Sequence, residues 1–262
     1  MRHGRGTEME TIAQAKEFGS EIRVGDTTEL YGEKGRFRVL QFANGDIQGA
    51  RDLDQPERIV LEYPRAMIHL MEQNHPTLER IFILGHGIGT IAGYFADHDV
   101  RAAEISPIIA EWSRSYFGYA GPEVLVGDGR SLLAQEADGS LDVIVLDAFT
   151  EKGRPWHLFT REFWRLAERK LQDQGSIVLN IFGRGRRDSF VDAVWAGLSD
   201  TFAHQRGFIL PSGELHDPAN YVLIASKQPI EAKLSQMADF EESEPGLGTV
   251  LEDEMFGFEP NG

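Results

Sequence analysis

Residues 81–84 (Ile-Phe-Ile-Leu) run directly into Gly85, Gly87 and Gly89, with His86 and Ile88 between them and a helical pattern from Thr90 onward. Few folds use an apolar strand that breaks into alternate glycines and restarts as a helix. The glycines let the backbone pass close to a neighbour that a Cβ would block, and the helix start points N–H groups at the same place. A tight strand-to-helix turn without a ligand uses the same residues, so the elements that follow have to discriminate.

From residue 79 the chain alternates short apolar runs with helical patterns. Strands are expected at 80–84, 100–105, 123–126, 141–146, 175–181 and 221–226, and helices near 89–97, 107–118, 129–136, 160–172 and 188–200. This alternation predicts an α/β domain with a mostly parallel sheet covered on both faces. Upstream, residues 8–18 suggest a short helix. Strand-like runs at 36–42 and 46–50 flank Asn44-Gly45, a pair suited to a hairpin turn. Residues 58–73 carry Ile59, Tyr63, Met67 and Leu70 on one helical face. The expected organisation is an N-terminal segment with a small β-hairpin region (1–57), a Rossmann-like nucleoside-binding domain (58–228) and an acidic tail (229–262).

The net charge of −16 argues against a nucleic-acid partner, which requires a basic footprint. Half of that excess falls in residues 238–262, which hold eight carboxylates and no Lys or Arg, and which are expected to be solvated and partly disordered. No apolar run is long enough to span a membrane, and residues 1–18 lack the apolar stretch of a secretory signal, so a cytoplasmic location is expected. There are no cysteines, and His69, His75 and His98 show no ligand spacing, so no metal is expected. The basic run at 183–187 is expected to be a salt-bridging loop.

Three carboxylates follow the glycine loop at strand ends. Glu104 lies 19 residues after Gly85, where an acidic side chain accepts the hydroxyls of a ribose, with Ile105 beside it. Asp128, followed by Gly129, is placed to accept from an adenine amine, to cap the next helix, or both. Asp147 ends the fourth strand and faces the ligand's reactive end. A nicotinamide-dependent oxidoreductase would use Gly85, Gly87 and Glu104 but has little use for Asp128 or Asp147, so the order favours an adenosylmethionine-type ligand.

In this order the segments ILGHGIGT (83–90), AEIS (103–106), GDGR (127–130) and VIVLDAF (143–149), with Trp156–Phe163 opening the next helix, resemble the spermidine-synthase-like family. The resemblance spans residues 61–227. It implies a seven-stranded class I methyltransferase fold preceded by N-terminal hairpins that pair into a homodimer. It also implies S-adenosylmethionine or its decarboxylated form as co-substrate, and an aminopropyl or methyl group passed to a small acceptor such as a polyamine. Gly85, His86, Gly87, Gly89, Glu104, Ile105, Asp128, Gly129 and Asp147 would hold the nucleoside ligand, with His86 and Thr90 supplying donors. Tyr63, Thr150 and Glu214 would face the acceptor.

Two positions depart from the pattern of aminopropyl-transferring members. Ile88 stands where their glycine loop has an aspartate for the cationic amine, and Thr150 stands where their catalytic loop has the aspartate that deprotonates the acceptor. Threonine is no base near neutral pH. Glu151 and His157 are the substitutes in the same loop, beside Asp147; a surface carboxylate and a packing or capping histidine are the plainer readings of the two. A catalytically degenerate relative, binding an adenosyl ligand or acting as a dimeric partner, therefore stands beside the transferase.

Overall fold

The computed structural model describes residues 9–149, 154–185, 188–211 and 218–258. Strands β1 (Glu10–Glu17), β2 (Ser20–Leu30), β3 (Glu33–Phe42) and β4 (Ile47–Asp52) form an antiparallel meander. Its first two turns are two-residue connections with positive φ at both positions, Phe18-Gly19 and Tyr31-Gly32. That geometry matches the twist of paired strands. The helix expected at 8–18 is therefore β1. Ala13 and Ala15 alternate inward against Ile22 and Val24, and pairing with β2 overrides alanine's helix propensity. At 43–46 only Gly45 takes positive φ, so Asn44-Gly45 belongs to a longer loop, not a two-residue turn.

Helix α1 (Glu62–Asn74) leads into the main sheet. Its strands are β5 (Arg80–Leu84), β6 (Asp99–Glu104), β7 (Val124–Val126), β8 (Leu141–Leu146), β9 (Leu171–Arg184), β10 (His204–Ile209), β11 (Pro218–Ser226) and the short β12 (Glu241–Glu242). Among the described residues the order is β12-β10-β11-β9-β8-β5-β6-β7. Pairs from β7 through β9 are parallel, and those beyond β9 are antiparallel. The parallel strands are nearly continuous Ile, Val and Leu because helices cover both faces. Helices α2 (Thr90–Tyr94), α3 (Pro107–Ser115), α4 (Gly129–Ala134), α5 (Arg161–Lys170) and α6 (Ser189–Thr201) follow their strands, and the two faces carry separate cores around Trp164 and Met67.

Chain order reverses between β5 and β8: β6 pairs with one edge of β5 and β8 with the other. Open α/β sheets bind ligands in the crevice at the carboxyl ends of such strands. The meander closes that crevice, with Leu40 and Phe42 packing beside Trp112 and Phe117.

The acidic tail departs from the expected disordered segment. Met237 and Phe240 are buried under the sheet, and Leu251 joins the other core face. Asp253 is buried in an ion pair with Arg130, 2.6 Å. Apolar side chains spaced among the carboxylates anchor what net charge alone suggested would float. No helix of the described residues is long and apolar enough to cross a membrane.

Candidate adenosyl-ligand site

Gly85 leaves β5 with φ +94°, and a Cβ there would collide with the Asp147 carbonyl oxygen. The backbones at the ends of β5 and β8 thus approach as only glycine allows. Asp147 N donates to Leu84 O at 2.8 Å and Gly85 N to Ala103 O at 2.9 Å, tying three strand ends into one rim.

Glu104, buried at the end of β6, accepts from the backbone N–H groups of His86 and Gly87, both 3.1 Å, and of Ser106, 3.0 Å. Burial raises its pKa, and those three hydrogen bonds oppose the shift. The carboxylate therefore fixes the loop that it shares the cavity with. Glu17, from β1, meets the Ser106 hydroxyl beside it.

Asp128 caps α4 by accepting from Ser131 N at 2.8 Å and pairs with His157 Nε2 at 2.7 Å. The His157 hydrogen bond is the main cause of its pKa, lowered to about 2. Each oxygen of Asp128 already has a protein partner, so an adenine amine would share one of them. His157 lies at the cavity with its Nε2 engaged by Asp128.

Asp147 is different. Asn180 donates to it at 3.0 Å, Tyr63 hydrogen-bonds it, and burial pushes its pKa up to about 6. The Tyr63 phenol is raised well above its ordinary value, by burial first and by Asp147 next. Asn180 is held in turn by Asn220 at 3.0 Å.

One cavity of about 190 Å³ is lined by Tyr63, Gly85, His86, Gly87, Glu104, Ile105, Asp128, Gly129, Asp147 and His157, so the structure brings these sequence candidates together. Gly89 instead borders a neighbouring hollow, where a Cβ would press on the Tyr119 ring. The His86 ring packs edge-on to Tyr119, 4.5 Å between centroids, and its Nε2 meets Ser113 Oγ at 3.0 Å. Burial lowers its pKa to about 4. Ser113 Oγ also lies 2.8 Å from Ala110 O, so the His86 ring is tied to α3 through Nε2. Thr150, Glu151 and Glu214 lie outside the described residues.

Sequence reasoning missed the wall made by Leu40, Phe42, Gln48, Gly49 and Ala50 of the meander, because hairpin alternation says nothing about what a sheet docks on. It also missed Asn180, although a polar residue within the apolar run 177–181 was a visible signal. Ile88 lines the cavity and lies against Gly49, where an added Cβ would come within 2.7 Å of it. Among the described residues no group of histidines and carboxylates forms a metal site.

Residues 61–181, the glycine loop and all three strand-end carboxylates included, match the spermine/spermidine synthase domain. The matched stretch is just under half of the chain, and over it the chain is similar to spermine/spermidine synthases. A polyamine aminopropyltransferase of Chromobacterium violaceum is 30% identical over 61% of this chain and 64% of its own length. The chain thus spans less than two thirds of that relative. A probable spermidine synthase from Corynebacterium glutamicum has the same fold, with a TM-score of 0.71 at 23% identity over 84% of this chain and 81% of its own. A spermidine synthase solved with the transition-state analogue AdoDATO gives 0.67 at 19% identity, over 97% and 87%. Both solved structures share the fold of this chain.

Proposed function

We propose that the cavity binds an adenosylmethionine-type sulfonium, foremost decarboxylated S-adenosylmethionine, and that the chain transfers its aminopropyl group to an amine of the polyamine class. The observation that carries this is Asp147, a carboxylate on the switch-point rim, held by Tyr63 and Asn180 in the same cavity as Glu104 and Asp128. The name of the Chromobacterium relative supports aminopropyl rather than methyl transfer.

In this reading the acceptor nitrogen attacks the methylene attached to sulfur. An N–C bond forms, the C–S bond breaks with its electrons returning to sulfur, and 5′-methylthioadenosine leaves. The acceptor nitrogen also gives up a proton. The protein contributes alignment and negative charge. Asp147, ionised above about pH 6, stabilises the cationic groups and accepts the proton, with Glu151 the nearest alternative in sequence. Glu104 takes the ribose hydroxyls, and Asp128 shares an oxygen with the adenine amine. Exposed Ile12 and Phe18 on the β1 edge and its turn support a homodimer formed through the meander.

A second reading, an adenosyl-binding protein without transfer activity, is favoured by Ile88. That station carries no carboxylate, and its side chain packs into the apolar contact with the meander. Incubation with decarboxylated adenosylmethionine and putrescine separates these, with the products read by mass. Methylthioadenosine and spermidine are expected. S-adenosylhomocysteine from intact adenosylmethionine would mean methyl transfer, tight binding without product would mean the second reading, and binding of NAD alone would end both.

A further inference from the structure

The cavity wall that carries His157 has a support from a distant part of the chain. Trp156–Leu158 form a short turn of 3-10 helix between the segment after β8 and α5, and Pro155, His157 and Leu158 line the cavity. Arg130, two residues after Asp128, donates to the His157 carbonyl oxygen at 3.0 Å. The same guanidinium makes a two-point pair with Asp253, 2.8 and 2.6 Å. Thr160, the cap of α5, donates to Asp253 at 2.7 Å, and the Asp253 N–H donates to Glu162 at 3.0 Å. Beside this cluster Phe256 stacks on Trp156, 5.0 Å between centroids at 12°, and Phe258 meets the His157 ring at 5.7 Å.

Asp253 is only 4% exposed. Burying an ion pair does not in general stabilise a fold more than an apolar contact of the same shape would, because desolvation offsets the attraction. A two-point guanidinium–carboxylate pair does fix direction and distance. Here the fixed object is Arg130, which holds the wall backbone at His157 and sits next to Asp128. The contacts therefore run from the C-terminal segment to a surface that the ligand would touch.

We propose that Asp253 is a positioning residue for the nucleoside end of the cavity, acting through Arg130 and Thr160 to hold the His157–Asp128 pair in place. This rests on the nucleoside reading of the cavity. It gives the acidic C-terminal segment a task at the site, although none of its described residues lines the cavity.

Calorimetry with 5′-methylthioadenosine, which carries the nucleoside without the aminopropyl tail, tests it on the full chain. Asp253→Asn keeps the size and removes the charge; it is expected to weaken binding about tenfold. In turnover the KM for the sulfonium donor should rise by a similar factor, with kcat at saturating donor and KM for the amine within about twofold. A purely structural role would instead lower the unfolding temperature and the active fraction without moving the donor KM. Phe258→Ala removes a solvent-edge ring and leaves the ion pair; a loss of about threefold is expected, and it serves if Asp253→Asn does not fold. If the parent binds and both folded variants bind as tightly, the positioning inference is overturned alone. If the parent does not bind methylthioadenosine, the cavity reading falls and takes this inference with it.

Discussion

At the end of the cavity proposed to take the nucleoside, Glu104 accepts three backbone N–H groups and Asp128 is held by Ser131 and His157, with a pKa of about 2. At the reactive end, Asp147 sits near pH 6 between Tyr63 and Asn180, and Ile88 supplies no charge at all. The first end is hydrogen-bonded within the protein without a ligand, which lowers the ordering cost of binding. The second holds a carboxylate whose ionisation the unliganded protein resists, a state suited to a cation or a proton. On the proposed function, recognition rests on the backbone network, while reactivity rests on one perturbed side chain.

Substitutions at each end should separate the two functions. Asp147→Asn is expected to lower aminopropyl turnover by about 100-fold or more while methylthioadenosine affinity stays within about threefold. Equal losses in both would erase the distinction between the ends. Glu104→Ala should do the reverse, weakening nucleoside binding at least about tenfold, near 1.4 kcal/mol. Unchanged affinity would remove Glu104 from the ligand.

The smallest effect is in pH. Burial raises the Asp147 pKa from 3.8 to about 6, so ionising it costs stability as pH climbs through that window. A cationic donor favours the ionised form, so its affinity should rise with pH up to about 6 and then level off. Tyr63→Phe removes a hydrogen bond that favours ionisation and should move that midpoint upward, read from donor titrations across pH. A midpoint that stays put would detach Tyr63 from Asp147.

The parallel core was legible because its strands are buried on both faces and appear as unbroken apolar runs: β5 and β8 fall at 80–84 and 141–146, as the sequence predicts. The glycine loop and strand-end carboxylates were legible because sheet topology delivers consecutive strand ends to one rim. What failed was decided by distant partners. β1 is an edge strand with an exposed outer face, β10 (His204–Ile209) has little apolar alternation, and β12 exists only by pairing with β10. The tail is ordered by Arg130, Arg161 and two buried side chains, none of which its own composition announces.

The seat of Ile88 against Gly49 restricts the routes by which this sequence can change. An aspartate at 88 would set a charge beside the apolar cluster of Leu40 and Trp112, and a larger residue at 49 would strike Ile88. Position 49 is not free to change while Ile88 stands. Loop and strand are therefore coupled at this pair: a side chain at 49 calls for a smaller residue at 88.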